Sequence, residues 1–160
     1  MNQITYRLIT ESDLKVLELY YEDLLRVYSD FGYRLPIPDH AGMLWIASFN
    51  RTLGRFSQVF IPESNSGIVG FALARLKRLP PYQGGELIAE LSDIYLIEKF
   101  RHQGIATKLC KMVISWAYEN DARSVEAQVL ISNEASRRMF LTLGFKTELS
   151  QVRLELASAD

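Results

Sequence analysis

Apolar and polar residues alternate from Ile4 to Ile9, the two-residue period of a strand with one buried face. Thr10 and Asp13 suit a helix start, and the period then changes. Leu14, Leu17, Tyr20, Tyr21, Leu24, Leu25 and Tyr28 recur at the three- and four-residue spacing of an amphipathic helix. Gly32, Pro36 and Pro38 break the pattern across Asp30 to Pro38, after which Met43, Leu44, Ile46, Ala47 and Leu53 restore helical spacing. Phe56 to Ile61 and Ile68 to Leu76 read as a hairpin with breaker-rich Pro62 to Gly67 as its turn.

Leu79 to Gly85, which contains P-P-Y-Q-G-G, reads as a loop. Glu86 to Ile97 is apolar on both faces, which puts it at the centre of a sheet rather than at an edge. Gln103 to Asn120 follows as a helix with Ile105, Leu109, Met112, Val113 and Trp116 on its buried side. Ser124 to Leu130 is a short strand, Asn133 caps a further helix that stops at Gly144, and Gln151 to Leu156 closes the sheet. The expected fold class is α/β, a mixed central β-sheet flanked by helices, in a single domain over residues 1–160 without repeats or linkers.

Composition narrows the function. The chain of 160 residues has a one-domain length. Its 18 Lys and Arg against 19 Asp and Glu point away from nucleic acid and from a membrane surface as partners. No apolar run approaches the ~20 residues that span a bilayer, and M-N-Q-I-T-Y-R lacks the features of a signal peptide, so a cytoplasmic protein is expected. Cys110 is the single cysteine and falls mid-helix, where packing is its expected role. With His40 and His102 as the only histidines, no metal is expected.

Candidate chemistry concentrates at the turn R-H-Q-G-I-A, Arg101 to Ala106, between the central strand and the following helix. Gly104 and small Ala106 permit close approach of a ligand, and first-turn N–H groups have no acceptor within a helix, so the turn suits a phosphate or pyrophosphate. The third glycine of the dinucleotide fingerprint and the spacing of a nucleotide P-loop are both missing. A second block, N-E-A-S-R-R-M-F-L-T-L-G-F, runs from Asn133 to Phe145.

Together, R-x-x-G-x-A after an apolar strand and this second block resemble the GNAT superfamily of N-acetyltransferases, over roughly Ile4 to Leu156. The resemblance implies acetyl-coenzyme A as cosubstrate. Its pyrophosphate would meet the backbone of Arg101, His102, Gln103, Gly104, Ile105 and Ala106, and its pantetheine arm would pair with the strand at Ile94, Tyr95 and Leu96. Asn133 matches an asparagine that contacts the cosubstrate arm, beside its ordinary role as a helix cap.

Acetyl transfer needs a neutral amine, hence a group to take a proton from an ammonium. Glu90 stands where histone-type members keep a catalytic glutamate and is the first candidate. Asp93 is the second; in a regular strand it faces away from Glu90, and a bulge would undo that inference. Ser92 would orient a water from the face of Glu90. Two positions depart from the resembled pattern: Phe140 replaces a tyrosine that protonates the leaving thiolate, and Gln128 replaces the glutamate of members that acetylate ribosomal-protein N-termini. Tyr82 and Tyr118 are candidate substitutes for the missing acid, and the spacing selects neither.

Tyr20, Tyr21, Tyr28, Phe31 and Tyr33, with Glu22, Asp23, Asp30 and Asp39, suit a cationic acceptor that has some apolar surface. The leading expectation is therefore an acetyl-coenzyme A dependent N-acyltransferase acting on a primary amine of a small molecule or peptide. The alternative is a catalytically weak acyl-coenzyme A binding or sensor domain, and a homodimer fits either.

Overall fold

The computed structural model describes residues 3–156, so the expected domain of residues 1–160 extends beyond the described residues at both ends. The elements are β1 (Thr5–Leu8), α1 (Leu14–Asp30), α2 (Ala41–Phe49), β2 (Ser57–Ser64), β3 (Gly67–Ile68), β4 (Gly70–Arg78), β5 (Leu87–Leu96), α3 (Ile105–Glu119), β6 (Val125–Ala127) and α4 (Glu134–Thr142). One sheet runs β1-β2-β4-β5-β6, with β3 paired to β2. All pairs are antiparallel except β5 with β6.

The central strands β2, β4 and β5 bury both faces because helices cover both. On one side Leu17 and Leu24 of α1 and Trp45 and Phe49 of α2 pack on Val59, Phe71 and Leu73. On the other side Ile105, Leu109 and Val113 of α3 pack on Ala72, Ala74 and Leu91. Cys110 lies in this second layer, where burial pushes its thiol up to about 12 and keeps it protonated.

The start of α1 is fixed by charge as well as by capping. Thr10 donates its N–H to the Asp13 carboxylate at 2.7 Å, and Arg7 of β1 grips Asp13 through two bonds of 2.7 and 3.0 Å while its Nε reaches Glu63 of β2 at 2.9 Å. The bidentate Arg7 contact holds the Asp13 carboxyl down at about 2. Strand, helix start and neighbouring strand are thus joined at one guanidinium.

Several expected boundaries move. The helix at α2 ends at Phe49, and Leu53 lies beyond it, after a short 3-10 turn. Pro62 belongs to β2 rather than to the turn, since it pairs with Tyr6 of β1 and its carbonyl accepts from the Val69 N–H at 3.0 Å. The strand expected over Ser124 to Leu130 is confined to Val125–Ala127. Gln151 to Leu156 forms no strand, and Val152, Leu154 and Leu156 are exposed, so alternation alone did not find a partner there.

Helices α1 and α2 cross closely at Gly42, where an added Cβ would lie 2.3 Å from the Glu18 carbonyl oxygen. Gly42→Ala therefore forces backbone apart, at a cost of about 1–3 kcal/mol. Urea denaturation should show the lower midpoint; an unchanged midpoint would mean that the helices are free to separate.

Candidate functional site

Strand β5 carries one residue more than its neighbour. Leu91 pairs with Ala74 and Asp93 with Leu73, which leaves Ser92 as a bulge. The bulge resets the alternation. Leu91 faces the α3 layer, whereas Glu90, opposite Arg75, and Asp93, opposite Leu73, both face the α1 and α2 layer. The regular-strand expectation that they face apart is thereby corrected. Ser92 Oγ donates to Glu90 Oε1 at 2.9 Å, and Lys77 Nζ lies 4.0 Å from Glu90 Oε2.

Strands β5 and β6 pair only at Ala89–Val125, Glu90–Glu126 and Leu91–Ala127. From Ser92 to Leu96 the β6-facing edge of β5 has no strand partner among the described residues. Tyr95 and Leu96 bury their side chains, so this segment offers its backbone. Arg101 turns back onto it, donating from Nε to the Leu96 carbonyl at 2.9 Å, with its guanidinium carbon 5.8 Å from the Tyr95 ring centre.

The glycine turn completes this side. Among the described residues, no hydrogen bond engages the backbone N–H groups of His102 through Thr107, and the first amide of the following turn to find an acceptor is that of Lys108, bonded to Gly104 O at 3.0 Å. His102 and Gly104 adopt left-handed φ values of 59° and 78°. Nothing lies within 4 Å of where a Gly104 Cβ would stand, so the row of donors opens outward. Ile105 is buried and presents only its N–H, Ala106 is half-buried, and the Gln103 side chain donates to Lys99 O at 2.9 Å. Asn133 caps α4 by accepting from Ser136 N at 3.1 Å.

On the α1 and α2 side a cleft of about 400 Å³ is walled by Leu25, Tyr33, Leu35, Ile37, Leu44 and Trp45, with Tyr21, Ser48, Arg75 and Asp93 at its base. Asp93 is held by the Trp45 indole, whose Nε1 donates to Oδ2 at 2.9 Å. The indole stacks on Tyr21 at 4.6 Å and meets Phe49 and Phe71 edge-on or tilted at 4.8 and 4.9 Å, so the donor is fixed by packing. Burial raises the Asp93 carboxyl to about 6, opposed by the Trp45 bond and the Arg75 charge and aided by Glu90. Burial also pushes the Tyr21 phenol up to about 12, so it keeps its proton.

Of the acceptor residues read from sequence, Tyr21 and Tyr33 line the cleft. Glu22, Asp23, Asp30 and Asp39 do not, and the Tyr20 hydroxyl is taken by Ile68 O at 2.7 Å. Phe140 is core, packed edge-on to Phe145 at 5.0 Å, while Tyr82 and Tyr118 stand exposed away from the cleft. Trp45, Ser48 and Arg75 went unread in the sequence, where only an aromatic or a charge within an apolar run marks them. Among the described residues no three His, Cys, Asp or Glu side chains gather as metal ligands.

A carboxyl raised above its ordinary value is protonated longer in the folded chain than in the unfolded one. It therefore costs nothing below about pH 4, and costs stability increasingly as pH rises through about 4 to 6. Asp93→Asn should stabilise the fold at pH 7.5 by roughly 2 kcal/mol and by little at pH 4. Urea titrations at the two pH values check this, and equal midpoints at both would mean that the carboxyl is not strained by burial.

The chain is 27% identical over 145 residues to an uncharacterized N-acetyltransferase from Methanocaldococcus jannaschii, covering 89% of this chain and 60% of that protein. The chain thus spans about three fifths of that relative's length. A predicted acetyltransferase from Clostridium acetobutylicum, solved with acetyl-CoA, superposes with a TM-score of 0.78 at 20% identity, over 96% of each chain. An aminoglycoside N-acetyltransferase solved with CoA superposes with a TM-score of 0.74 at 19% identity, over 99% of this chain and 97% of that one. The family model described as Acetyltransferase (GNAT) family matches residues 15–145, and with most of its length so matched the chain belongs to the GNAT acetyltransferase family.

Proposed function

We propose that the protein is an acetyl-coenzyme A dependent N-acyltransferase that passes an acetyl group directly to a primary amine of a small molecule. The observation that carries this reading is the position of Asp93, a carboxylate that lines the apolar cleft and also stands on the open edge of β5. A solved relative of the same fold is an aminoglycoside N-acetyltransferase complexed with a bisubstrate analogue of coenzyme A, which supports an amine acceptor.

In this arrangement the cosubstrate pyrophosphate is bound by the unpaired N–H groups from His102 to Ala106 at the positive end of α3, with Arg101 beside them. Ile94, Tyr95 and Leu96 offer backbone to the pantetheine amides, and Asn133 flanks the arm. The amine enters from the cleft. Asp93 accepts one proton from the ammonium, the freed nitrogen attacks the thioester carbonyl carbon, an N–C bond forms, and the C–S bond breaks with its electron pair leaving on sulfur, while the second nitrogen proton passes to the departing thiolate or to water.

Glu90, tied to Ser92 and facing the same layer, is the second carboxylate and receives the proton onward. No hydroxyl at Phe140 protonates the thiolate. A thiol with a pKa of about 8.5 leaves tolerably without one, and positioning supplies the remaining rate.

Calorimetry should show saturable acetyl-coenzyme A binding that weakens strongly for a pantetheine-only analogue. Gly104→Val, strained at φ 78° and intruding before the donors, should lower affinity at least tenfold. Unchanged affinity would remove the pyrophosphate assignment. For the base, Asp93→Asn should depress kcat/KM by roughly 10²–10⁴ and abolish its rise with pH near 6, with Glu90→Gln the milder change. A larger loss at Glu90 would reverse the two roles, and binding without thiol release from any amine would favour a sensor.

A further inference from the structure

The cleft holds a positive charge that takes no direct part in bond making during acetyl transfer. Arg75 of β4 lines it, and Arg75 and Asp93 are the only charged side chains among its described lining residues. Arg75 makes no ion pair among the described residues. Its Nη2 donates to Ser48 Oγ at 2.7 Å, which aims the guanidinium, while its Nε is buried without any acceptor. A buried donor left unpaired costs about 1–3 kcal/mol. Glu90 stands opposite Arg75 on β5, but its carboxylate is engaged by Ser92 and Lys77, so the guanidinium has no ion-pair partner among the described residues and is free to meet an anion in the cleft.

Placement relates this charge to the reacting end. Arg75 lies two residues along β4 from Leu73, the register partner of Asp93, so the two charges project from one face roughly 7 Å apart along the strand. Tyr33, Leu35, Ile37 and Leu44, all apolar in the body, line the same cleft. A cleft of about 400 Å³ is at the small end of ligand pockets, which fits a small molecule. A polycationic acceptor would bring several ammonium groups to one carboxylate and an opposing guanidinium, an unfavourable match.

We propose that the acceptor is an amino carboxylate with an apolar side chain, its ammonium directed to Asp93, its carboxylate on Arg75 and its side chain against Leu35, Ile37 and Leu44, an assignment that rests on the transferase reading above. The carboxylate takes no part in bond making. It orients the amine by a charge-assisted contact and is carried unchanged into the N-acetyl product.

The test compares amines that differ only in the carboxylate: L-phenylalanine against phenethylamine and L-leucine against isopentylamine. Each is titrated into the protein by calorimetry, with and without coenzyme A, and assayed for thiol release from acetyl-coenzyme A. Binding and kcat/KM should favour the amino acid of at least one pair by tenfold or more. Arg75→Met should bring that ratio close to one, and Arg75→Lys should keep part of it, because a point charge survives but the fork does not.

Loss of the Arg75 charge also raises the Asp93 carboxyl, but that change falls on both amines and leaves the ratio to report the carboxylate contact. Thermal melts by circular dichroism confirm that each variant is folded. Equal binding of the paired amines, no binding of either amino acid, or a preference that survives Arg75→Met each overturn the assignment. Failure of coenzyme A itself to bind overturns the transferase reading instead, and the coenzyme-free titrations still decide the role of Arg75.

Discussion

Ser92, the one residue that β5 has in excess of β4, determines what the two faces of the sheet can do. Without it Asp93 would continue the row of Ala89 and Leu91 into the α3 layer, among Leu109 and Val113, with no donor to meet it. With it the carboxylate turns to the α1 and α2 layer and meets the Trp45 indole. Strand β5 also loses its β6 partner beyond Leu91, so the bulge marks the point where the sheet stops being a continuous wall. A cleft-facing carboxylate and an open strand edge meet at the same local irregularity.

The two sides of the opened strand are built on different physics. Toward α3 the resource is backbone: amides with no acceptor, a left-handed glycine, and an Arg101 that ties the turn to the strand end. Toward α1 and α2 the resource is side chains fixed by aromatic packing, with Arg75 and Asp93 the only charges among the described residues that line the cleft. The first arrangement tolerates many sequences as long as the turn keeps its shape. The second depends on each residue, and it is there that members of one family diverge in what they accept.

Much of the scaffold was legible in the sequence because its signals are local. The Thr10 and Asp13 pair announces the start of α1, the doubly apolar run at β5 announces a central strand, and Gly104 announces a turn before α3. The bulge was invisible for the same reason that β5 was easy to place, since a strand apolar on both faces does not register one residue too many. The cleft was invisible because residues 45, 75 and 93 meet only through the α2 crossing and the β4–β5 register. Val152, Leu154 and Leu156 misled in the opposite direction, showing strand alternation without a neighbouring edge to pair with.

The Trp45 contact has a use apart from chemistry. This chain has two tryptophans, and Trp116 lies in the opposite layer, packed against the α3 cluster. Trp45 is the one whose ring nitrogen bonds the cleft carboxylate and whose face rests on Tyr21. Its emission is therefore a built-in optical gauge of the pocket, sensitive to ionisation of its partner and to displacement of water by a ligand, with Trp116 as an internal reference beyond the sheet.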